Sequence, residues 1–525
     1  MKKNRNKIGA FQKLKSINLD IPIHPFLFAV YPILFIYSSN LTDVFLAEIF
    51  MPIIISLVAT TFIFFALKFV LKDKNKAAVI TTVVLIIFFS YGHVFSLIEN
   101  FKIGGAIIGR NRYLLPSSLI ILALISFITL KTKLNLNRVS KILNVVALVL
   151  ILASLGAIGN YAFAHRGLSI SEKEVEKASE TSTKNQASSK LPDIYYIILD
   201  GYARQSTLKK VHKFDNNEFI NYLKKKGFYV APRSQSNYSI TQASLPSSLN
   251  MTYLDDIANS SFDERGKREK AIEMTRNNEV AKFLRGKGYT IVNIGTTWGV
   301  TKENPYADKV FALKDRSDFT RILYETSALM LLERSSETLA DSILFGFKKL
   351  SEIPSMEEPT FTFTHIVSPH PPYLFDRYGN KTLVNIKDLG REHSWFQREK
   401  YVNQLIFINE RTMEAVDNIL ARSKTAPIII IQGDHGTGPI GTPAAELTKE
   451  RVDERMDILN AYYLPKGGNK ILYETITPVN SFRKVLNYYF KANYKILEDK
   501  SYFSHYSGYF NFIPVHSEKD NSISP

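Results

Sequence analysis

Hydrophobic positions in this chain follow two regimes. Up to about residue 165 they form near-continuous runs, at about 22–39, 45–71, 77–97, 113–130 and 143–164. Each run is long enough to cross a hydrocarbon core that takes roughly 20 helical residues. The pattern predicts five transmembrane helices. The first is interrupted by Pro22, Pro25 and Pro32, and a cleaved signal sequence is the other interpretation of such a segment. No small-residue cleavage site follows it and further spans come directly after, so it is read as a span.

Beyond that point the composition shifts. The stretch SEKEVEKASETSTKNQASSK, which ends at Lys190, is polar and nearly free of bulky apolar residues, as in an exposed linker. Short apolar runs then alternate with longer amphipathic stretches. Ile194–Leu199, Tyr289–Ile294, Thr360–Val367, Pro427–Ile431 and Ile458–Pro465 read as strands, and Asn216–Lys226, Asn278–Lys287, Tyr401–Arg422 and Pro478–Phe490 as helices. Alternation of this kind predicts an α/β domain around a central, mainly parallel sheet. The expected organisation is a membrane domain over residues 1–165, a polar linker over 166–190 and a second domain over 191–525.

Charge sharpens this division. The formal net charge is +17, but residues 1–165 hold 17 Lys and Arg against 5 Asp and Glu, so +12 of it lies in the membrane part. The excess sits mainly in Lys2–Lys15, Lys72–Lys76 and Lys131–Lys141, alternate connections that the positive-inside rule assigns to the cytoplasm. Five spans then leave the second domain outside, although Lys102, Arg110 and Arg112 lie on the opposite side. A nucleic-acid partner is not expected. There are no cysteines, which excludes disulfide staples, thiolate nucleophiles and thiolate metal ligands.

The candidate chemistry gathers at strand ends. In PIIIIQGDHG, four consecutive isoleucines lead to Asp434 and His435. An unbroken β-branched run is the signature of a strand buried on both faces, and open α/β sheets place chemistry beyond the carboxyl ends of their strands. A carboxylate and an imidazole there can share a divalent cation. Asp200, followed by Gly201, closes the first strand in the same way. The segment NYSITQASLPSSLNM is dense in hydroxyls and predicts a helix capped near Ser244 or Ser247, whose N-terminus would favour an anion. HIVSPHPPY carries His365 and His370, the second stiffened by flanking prolines. Gly436-Thr-Gly438-Pro-Ile-Gly441 formally spells the dinucleotide fingerprint but lacks its setting in a first βα turn. Trp298, in GTTWG, is a candidate pocket wall or a buried structural ring.

In this order, the motifs resemble the alkaline phosphatase superfamily and its sulfatase-like membrane branch, which includes lipoteichoic acid synthases and lipid A phosphoethanolamine transferases. The resemblance covers most of the chain in architecture and four short motifs in sequence. It implies metal ligands at Asp200, Thr241, Asp434 and His435. Thr241 would be the nucleophile, five residues before Pro246 as in the transferases, and Asp200 stands where those enzymes often have Glu. His370 would contact the transferring phosphate and assist catalysis, with His365 and Trp298 as substrate-binding candidates. The implied activity is transfer of a phosphoglycerol- or phosphoethanolamine-type head group, through a phospho-Thr intermediate, from a lipid-linked donor to an envelope glycan or lipid. Membrane lipids are the implied surroundings, and the enzyme would be a multi-pass protein of the cell membrane with an extracytoplasmic catalytic domain. One divalent ion, Mn, Mg, Zn or Ca, is expected, because the transferases' further histidine after Asp-His-Gly has no counterpart here before His505. Ser244-Leu-Pro246-Ser247-Ser248 approaches the formylglycine pattern of sulfatases but lacks its arginine, which leaves a sulfuric ester or phosphodiester hydrolase second. A non-catalytic membrane protein that keeps the fold stands third. Convergence of the Thr241 hydroxyl, Asp200, Asp434 and His435 on one point is the structural requirement of the metal assignment.

Overall fold

The computed structural model describes residues 21–41, 44, 46–98, 102–103, 106–107, 110–164, 191–313, 318–332, 335–382, 392–438, 448–505 and 508–515. The basic stretch at 2–15, the polar stretch at 166–190 and the glycine-rich loop from Pro439 onward lie outside these residues. The chain divides into two compact units, one of residues 1–167 with 316–333, the other of 168–315 with 334–525.

The first unit contains α1 (His24–Ser39), α2 (Ala47–Leu71), α3 (Lys74–Ile98), α4 (Asn111–Lys131) and α5 (Leu136–Ala164). Four of these are long and apolar enough to cross a membrane. The fifth, α1, has 16 residues and spans about 24 Å at 1.5 Å per residue, with Pro25 in its first turn and residues 21–23 before it not helical. Side chains such as Phe62, Phe69, Ile120 and Val149 point outward, as expected of helices solvated by lipid. A polar knot ties α1 into the bundle. The side chain of Asn144 on α5 accepts the backbone N–H groups of Ile23 and His24, and the His24 Nδ1 lies 2.6 Å from the Thr82 hydroxyl on α3. These bonds satisfy groups that would be costly unpaired in a membrane.

Residues 316–333, expected in the second domain, group with the first unit instead. The helix α7 (Asp318–Thr326) buries Phe319 and Leu323 against Ile33, Ile36 and Tyr37 of α1 and Ile49 of α2. A Cβ on Gly92 of α3 would fall 2.0 Å from the Glu325 carbonyl oxygen, so that position has room only for glycine.

The second unit is built on a seven-stranded sheet of β1 (Ile194–Leu199), β2 (Tyr229–Val230), β3 (Thr290–Ile294), β4 (Lys309–Phe311), β5 (Thr360–Ile366), β6 (Ile428–Gln432) and β7 (Asn460–Tyr463). Its order is β2-β7-β6-β1-β5-β3-β4. The five strands from β6 to β4 run parallel, and β7 and β2 pair antiparallel at one edge. Alternate residues feed two cores: Tyr195, Ile197, Leu199, Ile429 and Ile431 face one, while Ile194, Tyr196, Ile198, Ile428 and Ile430 face the other. Burial on both faces explains why these strands read as unbroken apolar runs. β1 lies between β5 and β6, with Ile198 level with His365 and Gln432. The chain therefore leaves three neighbouring strands side by side at their carboxyl ends. A final hairpin of β8 (Ser501–His505) and β9 (Gly508–Val515) braces the segment before residue 241 through Tyr502 N–H to the Asn237 carbonyl and Ser504 N–H to the Ser239 hydroxyl.

Candidate metal centre

Asp200, Asp434 and His435 are placed at strand ends. Asp200 follows β1; its N–H donates to the Ile366 carbonyl of β5, and its own carbonyl accepts the His370 N–H. Gly201 turns the chain at φ +69, with room only for glycine, since a Cβ would lie 2.8 Å from the Trp395 ring. The Gly201 N–H donates to Asp434 Oδ1 at 3.0 Å, joining the ends of β1 and β6. Gly436, next to His435, is equally constrained: a Cβ would meet the Glu454 carbonyl oxygen at 2.3 Å.

The helix α6 (Thr241–Asn250) corrects one expectation. It begins at Thr241 rather than near Ser244 or Ser247, and Ile240 occupies the capping position, where its side chain forms no cap hydrogen bond. The hydroxyls suggested for capping bond elsewhere, that of Ser247 to the Thr252 carbonyl at 2.6 Å. Thr241 Oγ1, at the positive end of the helix dipole, donates to Asp434 Oδ2 at 2.6 Å and lies 3.4 Å from His435 Nε2. Ser244, one turn further on, is buried and donates to the Asp434 carbonyl at 2.6 Å, so its oxygen supports the loop rather than facing the cluster.

The four sequence-assigned ligands therefore meet. His435 Nε2 stands 3.4 Å from Asp200 Oδ1, 3.5 Å from Asp434 Oδ2 and 3.4 Å from Thr241 Oγ1. Donors about 2.1 Å from a tetrahedral ion are separated by about 3.4 Å. The Thr241–Asp434 separation is shorter because a hydrogen bond closes it. His435 Nδ1 bonds the Gly436 carbonyl at 2.8 Å, which places its proton there and leaves the Nε2 lone pair facing the cluster. Asp200 Oδ1 is buried without a hydrogen-bond partner among the described residues, a costly state for a carboxylate oxygen that a cation relieves. These residues fit a small divalent ion.

Electrostatics separate the two carboxylates. Burial favours a neutral Asp200, yet the imidazoles of His370 and His365 hold it well below the ordinary carboxylate range. Asp434 is raised to about 6 by burial and by the adjacent Asp200 charge. Burial, followed by the nearby Arg455 charge, holds His435 well below its usual value and therefore neutral. Metal binding thus competes with a proton on Asp434 but not on His435. Affinity is expected to be flat above pH 7 and to weaken by about tenfold per pH unit below about 6; competition with a chromophoric chelator from pH 5 to 8 checks this, and a midpoint near 4 would contradict it.

The remaining candidates form the walls. His370, between cis peptide bonds at Ser368–Pro369 and Pro371–Pro372, directs Nδ1 to the Pro371 carbonyl, and its ring centre lies 5.9 Å from that of His435. His365 Nε2 is 3.2 Å from Asp200 Oδ2, and its Nδ1 is 3.1 Å from the Thr301 hydroxyl. Among the described residues, two acid–imidazole groups could each hold an ion, Asp200 with His370 and His435, and Asp200 with His365 and Asp434; both share Asp200. Trp298 packs edge-on against His365 at 5.7 Å. The indole beside His370 and His435 is instead Trp395, at 4.9 and 6.2 Å, a residue that no motif singled out. His505 lies in the C-terminal hairpin against Phe503 and belongs to neither group.

No family model matches the chain, and no curated protein matches it. Among solved structures it is similar to the integral membrane lipooligosaccharide phosphoethanolamine transferase A from Neisseria meningitidis, at 15% identity over 90% of this chain and 95% of that one, with a TM-score of 0.36. It is also similar to the zinc-complexed C-terminal periplasmic domain of EcEptC from Escherichia coli, at 13% identity over 57% of this chain and 84% of that one, TM-score 0.37. The C-terminal periplasmic domain of the phosphoethanolamine transferase EptC from Campylobacter jejuni matches at 14% identity over 60% of this chain and 94% of that one, TM-score 0.36.

Proposed function

We propose that this protein is a membrane-anchored, metal-dependent phosphotransferase that moves a phosphoglycerol- or phosphoethanolamine-type head group from a lipid-linked donor to an envelope glycan or lipid. The observation that carries this reading is the Thr241 hydroxyl, at a helix N-terminus and within 2.6 Å of Asp434 and 3.4 Å of His435. The catalytic domain would face the extracytoplasmic side, in keeping with the basic residues at alternate connections of the apolar helices.

Asp200, Thr241, Asp434 and His435 would hold one small ion; their donor spacing suits zinc better than calcium, which takes six to eight oxygens at longer range. When bound, the ion lowers the pKa of an attached hydroxyl and polarises a phosphoryl oxygen. The chain supplies the rest. Asp434 Oδ2 accepts the Thr241 proton along the bond already present, and the Thr241 oxygen attacks phosphorus. The bond from phosphorus to the leaving alkoxide breaks, and His370 delivers a proton to that oxygen. An acceptor hydroxyl then attacks phospho-Thr241 and loses its proton to His370, while the bond from phosphorus to Thr241 Oγ1 breaks and Asp434 returns its proton to that oxygen, restoring the free hydroxyl. Trp395 shields the imidazoles from bulk water.

Incubation of the full-length protein with zinc or manganese and a labelled glycerophosphodiester donor is expected to yield one phosphopeptide containing Thr241 by mass spectrometry. A hydroxyl acceptor present at millimolar concentration should then receive most of the label. Release of the label only to water would favour the hydrolase reading, and formylglycine at Ser244 the sulfatase form of it. A protein that binds no divalent metal and forms no adduct would be a non-catalytic member of the fold.

A further inference from the structure

Three loops must hold still for this site to work: residues 200–204 after β1, 235–241 before α6, and 433–438 after β6. One short segment touches all three. The Arg455 carbonyl accepts the Gly436 N–H at 2.6 Å, and the Met456 carbonyl accepts the Ser236 N–H at 2.7 Å. Asp457 receives Arg204 Nη2 at 2.6 Å, the Thr207 hydroxyl at 2.8 Å and Gln235 Nε2 at 3.1 Å. Glu454 Oε1 accepts the Thr437 hydroxyl at 3.1 Å.

Within this segment the Arg455 side chain turns inward and is 3% exposed. Its Nε donates to the Ser239 carbonyl at 2.7 Å, two residues before Thr241. Its Nη1 donates to the Gly438 carbonyl at 3.0 Å, three residues after His435. The guanidinium carbon lies over the Trp395 ring, 5.3 Å from its centre, and the same indole contacts His370 and His435. A guanidinium suits this task because it is planar and rigid, with donors pointing in different directions at fixed separation. A lysine ammonium at the same place can reach one carbonyl firmly but has no fork with which to hold both.

We infer that Arg455 is a positioning residue that sets the distance between Thr241 and His435 by holding one carbonyl from each of their loops and backing the Trp395 wall. This assignment rests on the group-transfer reading of Thr241 for its kinetic consequence, but not for its structural one. The site is then fixed from outside by a cation that need not touch substrate. A misplacement of about 1 Å in a reacting group lowers rates by about a hundredfold, so the effect belongs in the rate of chemistry rather than in donor binding.

The test uses the full-length protein carrying Arg455→Met or Arg455→Lys. Hydrogen exchange is expected to accelerate in Arg455→Met within peptides covering 236–244 and 433–438 together, with β1 and β5 unchanged; unchanged exchange in both loops, or acceleration throughout the domain, overturns the proposal. With zinc and bis(4-nitrophenyl) phosphate as probe, the rate of Thr241 phosphorylation should fall about a hundredfold in Arg455→Met while KM stays within about threefold, and Arg455→Lys should recover roughly a tenth of the wild-type rate. A rise in KM at unchanged rate would make Arg455 a substrate-binding group, against the proposal. Absence of any wild-type phospho-enzyme would remove the group-transfer reading, while the exchange measurement still decides the role of Arg455.

Discussion

Thr241→Ala is expected to eliminate the covalent phospho-enzyme and to lower turnover by about 10⁴-fold or more, the scale on which loss of a nucleophile is felt. Its hydroxyl is the one in α6 that faces the acid–imidazole cluster, since Ser244 is committed to the Asp434 carbonyl. The substitution also removes a donor from a buried carboxylate, which costs about 1–3 kcal/mol, so lost activity could arise from lost structure. Thr241→Ser separates the two causes: it keeps the hydroxyl and should retain measurable turnover and a phosphoserine at position 241. Phosphopeptide mapping with a thermal melt of each variant decides the matter. Alanine activity within tenfold of wild type, or label at any other hydroxyl, would end the nucleophile assignment.

Asp434→Asn should uncouple metal from the protein and, unusually for a buried substitution, leave the metal-free fold as stable as before or more so. Asparagine keeps the shape and can still accept the Gly201 N–H that Asp434 Oδ1 now receives. What disappears is a charge that burial and Asp200 disfavour, as the elevation to about 6 records. The sign follows from linkage. A carboxyl whose folded value exceeds its unfolded one destabilises the fold above the folded value, where it must ionise, and loses that penalty as pH falls towards the unfolded value near 4. The stability advantage of the variant is therefore greatest above pH 6 and vanishes near pH 4. With zinc added, wild type should melt several degrees higher and the variant should not move. An equal zinc-induced rise in both proteins would remove Asp434 from the ligand set.

Much of this was legible in the sequence because single physical causes produced single patterns. β1 was expected over Ile194–Leu199 and is observed there, because burial on both faces leaves a continuous apolar run ended by Asp200-Gly201. The late helix Pro478–Phe490 likewise begins at the proline that can start it. The start of α6 was missed because Ile240 holds the capping position without a capping side chain, so hydroxyl chemistry pointed several residues too far along. Trp395 and Arg455 were missed for a different reason. Trp395 sits in a short 3₁₀ turn, and Arg455 closes a highly charged helix, Lys449–Met456, that reads as solvated surface. Only the tertiary fold turns that arginine inward. Residues 318–326 were equally opaque, since nine residues of mixed polarity carry no sign that Phe319 and Leu323 complete a core begun near residue 33.

That last arrangement bears on how the protein is made. The apolar helices are synthesised first, but the unit they form is not complete at residue 167; it waits for Phe319 and Leu323, which arrive only after β1 to β4 have been translated. Until then Ile33, Ile36 and Tyr37 lack part of their packing and Gly92 faces a gap. A chain ended after its last apolar helix would carry this defect permanently, which argues against cutting the protein at the polar stretch when the helical part is to be produced alone. Maturation of the bundle is thus tied to the emergence of the segment between β4 and β5.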